Sequence, residues 1–235
     1  MNQYKSTKPQ SELIVISVGG SLICPDRIDT DFLKRFKEII VKQIQKGKRF
    51  VLITGGGRTA RNYQQAAREV GEIDNEDLDW LGIHGTRINA HLVRTIFKKY
   101  SRPRIVMDPT EKVSFRDKIL VASGWKPGCS TDYDAILLAK HFRIKKLINL
   151  SNIDYVFDKN PSKYADAKAF ERLKWNEFRQ MFGDKWDPGL NVPFDPVASK
   201  EAEKSGISVY IVNGSNLENL ENLLENKEFV GTVIS

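Results

Sequence analysis

Leu13 to Val18 is a short run dominated by apolar and β-branched residues that stops at Gly19-Gly20-Ser21, and the arrangement returns where Arg49 to Thr54 runs into Gly55-Gly56-Gly57. Runs of this length, closed by glycine, read as buried strands ending in tight loops. A helical pattern follows each. After the first, Phe32, Leu33, Phe36, Ile39, Ile40 and Ile44 recur at three- and four-residue steps, with Asp29 or Thr30 as cap and Gly47 as stop. After the second comes the helical stretch Thr59 to Val70. Strand, glycine loop and helix, repeated in order, imply an α/β fold: a three-layer αβα sandwich around a central, mostly parallel sheet covered on both faces.

The alternation continues along the chain. Helices are expected over Leu78 to Tyr100, Tyr133 to Phe142, Pro196 to Ser205 and Leu217 to Leu224. Strands are expected at Ile105 to Met107, Ile119 to Ala122, Lys146 to Leu150, Ser208 to Val212 and Gly231 to Ser235. Asp154 to Pro193 is weakly patterned but carries Phe157, Phe170, Leu173, Trp175, Phe178 and Phe182, so it reads as a packed insertion and not a linker. Residues 1–10 read as a flexible polar tail and residues 11–235 as one domain.

Composition narrows the partners. No apolar run approaches the roughly 18 residues a membrane helix needs, and the polar start shows no signal-peptide pattern, so a soluble, cytoplasmic protein is expected. Cys24 and Cys129 match no metal or redox spacing, which also suits a reducing compartment. The net charge of +7 fits an acidic partner, either nucleic acid or phosphorylated metabolites. Acidic and basic residues are interleaved, as in Phe32 to Lys48, so no nucleic-acid tract emerges; Phe97-Lys98-Lys99-Tyr100 reads equally as a helix end where the dipole favours cations.

Glycine at strand ends lets backbone N–H groups approach phosphate oxygens, and ligands of open parallel sheets gather at the carboxyl ends of strands. Gly124, Gly128 and Gly214 fall at further strand ends. The chain has no G-x-x-x-x-G-K-[ST] loop, no G-x-G-x-x-G after a strand and no Ser nucleophile elbow. Its three histidines, His84, His91 and His141, show no zinc-type spacing, so no set of metal ligands is expected from the chain itself.

The ordered series Gly19-Gly20-Ser21, Gly55 to Arg61, Asp79 to Ile83, Thr86-Arg87-Ile88-Asn89-Ala90, Pro127 to Asp132, Asn149 to Asp154 and Asp195 to Lys200 resembles the UMP kinase branch of the amino acid kinase family. The resemblance runs from about Leu13 to the C-terminus, and the ordered set is more specific than any one motif. It implies phosphoryl transfer from ATP to UMP in pyrimidine biosynthesis, with Mg²⁺. UMP and ATP would be the partners, without nucleic acid or membrane, in a homo-oligomer of the hexameric kind common in the family, with the helix after Asp29 a candidate interface.

Residue by residue, the resemblance implies that Gly19, Gly20 and Ser21 cradle the transferred phosphoryl group, and that Gly56 and Gly57 lie between donor and acceptor phosphates. Arg61 would pair with phosphate, Lys200 would reach the γ-phosphate, and Asp154 would help place Mg²⁺ or a phosphate-binding lysine. Asp79 would accept from the ribose hydroxyls of UMP, while Trp125, Lys126, Pro127, Gly128, Cys129, Ser130 and Thr131 would hold its phosphate and base. Ser130 and Thr131 also suit a helix cap. Ser151, Phe157 and Asn160 would serve ATP. The pattern departs at Ser17, where many members of the wider family carry Lys, and at Tyr155, Phe157 and Asn160, which replace a common Gly, Tyr and Asp.

Other readings of the same residues are a kinase acting on isopentenyl phosphate, carbamate or an amino acid, and a non-catalytic nucleotide or anion binder. Of these, an isopentenyl phosphate kinase is expected to carry a His beside the second glycine loop, where Thr54 and Arg58 stand.

Overall fold

A computed structural model describes residues 11–183 and 192–235; the expected tail lies outside them. Period-two alternation of the strand side chains builds the layers. Along β1 (Leu13–Val18), Ile14, Ile16 and Val18 enter one apolar core and Val15 enters the other. The same division holds along β2 (Arg49–Thr54), β3 (Ile119–Ala122), β4 (Lys146–Ser151) and β8 (Ser208–Asn213). The first core is closed by α2 (Thr30–Gln45), α4 (Asn75–Ile96) and α8 (Leu217–Leu224), the second by α5 (Thr131–His141), α6 (Trp175–Phe182) and α7 (Pro196–Ser205). This is the expected three-layer sandwich.

Two helices stand at the carboxyl edge of the sheet: α1 (Gly20–Ile23), a single turn where a plain loop is expected, and α3 (Gly57–Val70). Local chemistry sets several boundaries. Asp29 caps α2, accepting from the N–H groups of Asp31 and Phe32, and Gly47 ends that helix with a positive φ of 96°. Asp195 caps α7, Pro196 occupies its first turn and Gly206 closes it in the left-handed region.

Among the described residues the main sheet has seven strands in the order β3-β2-β1-β4-β8-β9-β7, with β7 (Arg172–Leu173) and β9 (Thr232–Ile234) at one end. The five strands from β3 to β8 are parallel, and β9 runs antiparallel to β8. Order reverses at β1, which pairs with β2 on one side and β4 on the other. Such a switch point opens a crevice at the carboxyl ends of the strands.

The strand expected at Ile105 to Met107 is instead an isolated bridge between Val106 and Ala122. Pro103 and Pro109 lack N–H donors, and Asp108 accepts from the N–H of Thr110 at 2.8 Å, turning the chain away. The described part of the insertion packs as expected, residues 184–191 lying outside it: β5 (Val156–Phe157) pairs with β6 (Ala169–Phe170), and Leu173, Trp175 and Phe178 are buried in the second core.

Candidate active site

The two glycine loops interlock. A Cβ on Gly20 would lie 2.1 Å from the Gly57 nitrogen and 2.6 Å from the Gly55 carbonyl carbon, and one on Gly57 would lie 2.0 Å from the Gly20 oxygen. Gly57 also needs the left-handed region, with φ of 59°. These glycines therefore serve backbone-on-backbone contact between the ends of β1 and β2. That contact fixes the starts of α1 and α3 beside the switch-point crevice, where the Arg58 N–H of α3 donates to the Cys24 carbonyl at 2.8 Å.

Asn89 holds the second loop in place. Buried on the inner face of α4, its Nδ2 donates to the carbonyls of Gly55 at 2.8 Å and Gly56 at 3.0 Å. One turn earlier, Thr86 accepts from the Gly124 N–H at 2.8 Å through its hydroxyl and from the Thr54 hydroxyl at 3.0 Å through its carbonyl. Both residues fall in the motif Thr86 to Ala90, yet the sequence reading assigned them no task. The signal was present: two polar residues at helical spacing on a face otherwise occupied by Ile83, Ala90 and Val93.

The loop between β3 and α5 carries the expected acceptor residues. Asp79, in the second turn of α4, accepts from the Gly128 N–H at 2.9 Å, so this carboxylate is tied to the loop with which it was grouped. Lys126 lies over the Trp125 ring, its Nζ 4.1 Å from the centroid, and Gly128 takes a φ of 77°. Cys129 is half-buried, and burial, reinforced by the Asp134 carboxylate, pushes its thiol up. Ser130 caps α5, accepting from the Tyr133 N–H at 3.3 Å, and Thr131 is the first helical residue.

On the other side of the glycine loops, beyond β4, lies a cleft of about 660 Å³. Ser151, Asp154, Phe157 and Asn160 line it together, with Tyr155 and Phe182 adding aromatic surface. Asp154 accepts from the Asn213 amide at 2.9 Å, which links the cleft to the end of β8. The Asn160 Oδ1 accepts from the Ser162 N–H at 2.9 Å, so this side chain caps a turn and keeps its amide N–H₂ donors and one oxygen lone pair for a ligand. Arg61 on α3 and Lys200 on α7 are both exposed.

Between the two regions sit three carboxylates that sequence reasoning left without a role. Ser17 and Asn149 are register partners on β1 and β4, so both project toward α5; they donate to Asp132 Oδ1 at 3.2 and 3.1 Å. Ser17 thus supports a carboxylate where a lysine would pair with one. Asp132 keeps part of its surface open, but its carboxylate is enclosed by Ser17, Asn149 and the Asp195 backbone; that enclosure, with the Asp195 charge, pushes its pKa up to about 7. Asp134 is fully buried and pushed up to about 8, chiefly by desolvation; the hydrogen bond from Trp125 opposes the shift, and Asp132, Asp195 and Asp108 reinforce it. Among the described residues no three acidic, His or Cys side chains are arranged to hold a metal ion.

Interlocked glycine loops at a switch point, with a cleft on one side and the loop between β3 and α5 on the other, form an arrangement that can hold two small molecules for group transfer. Comparison with known proteins agrees. The model of the amino acid kinase family matches residues 12–213. A uridylate kinase of Thermoplasma volcanium is 39% identical over 95% of this chain and 98% of its own length, and one of Methanocorpusculum labreanum is 34% identical over 94% of each. The crystal structure of a uridylate kinase from Archaeoglobus fulgidus superposes with a TM-score of 0.80 at 28% identity, covering 95% of this chain and all of that one. A Bacillus anthracis UMP kinase shares the fold with a TM-score of 0.77 at 20% identity. The chain belongs to the amino acid kinase family, in its uridylate kinase branch.

Proposed function

We propose that this protein transfers the γ-phosphoryl group of ATP to UMP, giving ADP and UDP, as a step of pyrimidine nucleotide biosynthesis. The observation that carries the reading is the placement of an aromatic-lined cleft and a separate loop region on opposite sides of the interlocked glycines. Adenosine of ATP fits the cleft beside Ser151, Phe157 and Asn160, and UMP fits the region of Asp79 and Trp125 to Thr131.

An oxygen of the UMP phosphate attacks the γ-phosphorus in line, and the bond from that phosphorus to the β,γ-bridging oxygen breaks, leaving ADP. Because the acceptor is ionised near neutral pH, no general base is required; the demand is for positioning and charge compensation. Backbone N–H groups at Gly20, Ser21, Gly56 and Gly57 supply part of that compensation, while Gly19, whose own N–H donates to the Leu150 carbonyl at 2.9 Å, shapes the loop that presents them. Arg61 and Lys200 supply the cationic part from α3 and α7. Mg²⁺ neutralises phosphate charge when it arrives with ATP. Asp154, at the cleft, fits a magnesium that takes most of its ligands from phosphate and water.

Residues 11–235 act as one domain in this reading, inside a homo-oligomer. Supporting assembly, the 14-residue α3 buries only Ala60, while Tyr63 and Val70 are 64% and 90% exposed. By contrast, α2 buries Phe32, Leu33, Phe36, Ile40, Gln43 and Ile44 within the subunit, so α3 suits an interface better than the helix after Asp29. Among the described residues no helix is long and apolar enough to cross a membrane, and a cytoplasmic site of action follows from the metabolite substrates.

An ADP-release assay with Mg-ATP, offering UMP, CMP, dUMP and isopentenyl phosphate in parallel, tests the function. Preferential turnover of UMP, lost in Arg61→Ala, is expected. Nucleotide binding without turnover of any acceptor would mean a binding protein instead.

A further inference from the structure

Residues 124–128 follow the last residue of β3 and precede α5, so no strand or helix ladder satisfies their backbone groups. Side chains do so instead. Thr86 accepts from the Gly124 N–H, Asp134 Oδ2 accepts from the Trp125 N–H at 3.2 Å, Arg87 Nη2 donates to the Trp125 carbonyl at 3.2 Å, and Asp79 accepts from the Gly128 N–H. Trp125 is therefore held at both ends of its backbone, by α4 through Arg87 and by α5 through Asp134.

Neither holder has another evident purpose. The Arg87 guanidinium carbon is 5.8 Å from the Trp80 ring centroid, and its Nε is buried without a protein partner. Asp134 is fully buried on α5, and its Oδ1 likewise has no partner. A buried polar group left part-satisfied is disfavoured unless its remaining bond has a use. Both remaining bonds go to the same residue, which opens the loop assigned above to the acceptor.

We propose that Arg87 and Asp134 form a two-sided clamp on the Trp125 backbone that preorganises the acceptor loop, setting affinity for the nucleoside monophosphate without taking part in phosphoryl transfer. Both are positioning residues. Fixing an irregular loop before binding removes ordering entropy from the binding step, so the clamp acts on acceptor KM and not on kcat. The assignment of the loop to the acceptor rests on the UMP kinase reading; the clamp itself does not.

The test combines steady-state kinetics with hydrogen exchange on the unliganded full-length protein, comparing wild type with Arg87→Ala, Arg87→Lys, Asp134→Ala and Asp134→Asn. Arg87→Ala is expected to raise the KM for UMP about tenfold, the effect of one charge-assisted hydrogen bond. The KM for ATP and kcat should stay within about threefold. Amides of Trp125 and Gly128 should exchange faster while those of α8 do not change. Arg87→Lys, which keeps the charge but not the planar fork, should recover part of the affinity. Asp134→Asn keeps an acceptor for the Trp125 N–H and should stay near wild type, whereas Asp134→Ala should behave as Arg87→Ala does.

Unchanged loop exchange in Arg87→Ala would overturn the clamp, and so would a fall in kcat with both KM values unaltered or an equal rise in both KM values. If wild type fails to turn over UMP, faster loop exchange in Arg87→Ala still supports the clamp while the kinase reading falls.

Discussion

Replacing Gly20 with Ala adds one methyl group at the point where the two glycine loops touch. The new carbon would sit 2.1 Å from the Gly57 nitrogen and 2.6 Å from the Gly56 nitrogen, where real Cβ contacts essentially never fall below 3.0 Å. All three nearest atoms are backbone, so no side chain can rotate away. The loops must separate by about 1 Å, a displacement that in a positioned reaction costs about 100-fold in rate. Overpacking of this kind destabilises by about 1–3 kcal/mol, which lowers the melting temperature of a chain this size by about 2–12 °C.

Gly71→Ala is the control, because a Cβ there meets nothing within 4 Å and the φ of −171° is ordinary extended backbone. ADP release under saturating ATP and UMP, with thermal unfolding in parallel, compares the two variants. A Gly20→Ala enzyme within threefold of Gly71→Ala in kcat would refute the interlock as the device that sets the transfer geometry.

Three further outcomes are expected. Asn89→Ala strips donors from the Gly55 and Gly56 carbonyls and should cost about 2–3 kcal/mol of stability with a lowered kcat; wild-type kcat would show that the second loop holds itself. Because Asp132 and Asp134 keep protons in the folded state to about pH 7 and pH 8, while carboxyls of the unfolded chain lose theirs near pH 4, stability should fall as pH rises between those limits. The slope is at most about 1.4 kcal/mol per pH unit for each group. Glu225, held down to about 2 first by its hydrogen bond from Lys46, completes its own titration below this window. Urea unfolding from pH 5 to 8.5 should show the decline and Asp134→Asn should flatten it, whereas rising stability would contradict the assignment. Val70→Glu should yield a smaller species by sedimentation with unchanged circular dichroism, and an unaltered assembly would remove α3 from the interface.

The bounds of β2, β3, α7 and α8 coincide with those read from the sequence, because each is set by neighbours along the chain. Buried runs end at Gly or Pro, and Asp29 and Asp195 cap their helices through contacts two or three residues away. The bridge at Val106 was misread because it depends on which donors reach β3, not on its apolar residues. Of the residues expected to serve ATP, Ser151, Phe157 and Asn160 line one cleft, since they are close in sequence as well as in space, whereas Gly57 and Arg61 lie on α3 outside its lining.

What the linear chain leaves undetermined is every relation across the switch point. Ser17 donates to Asp132 over 115 residues, Asn89 supports Gly55 over 34, and Gly20 owes its lack of a side chain to Gly57. Periodicity and capping energies depend on near neighbours and can be read along the chain. Strand order and register decide which distant groups come within hydrogen-bond reach, and they are settled only when the cores on both faces of the sheet close together.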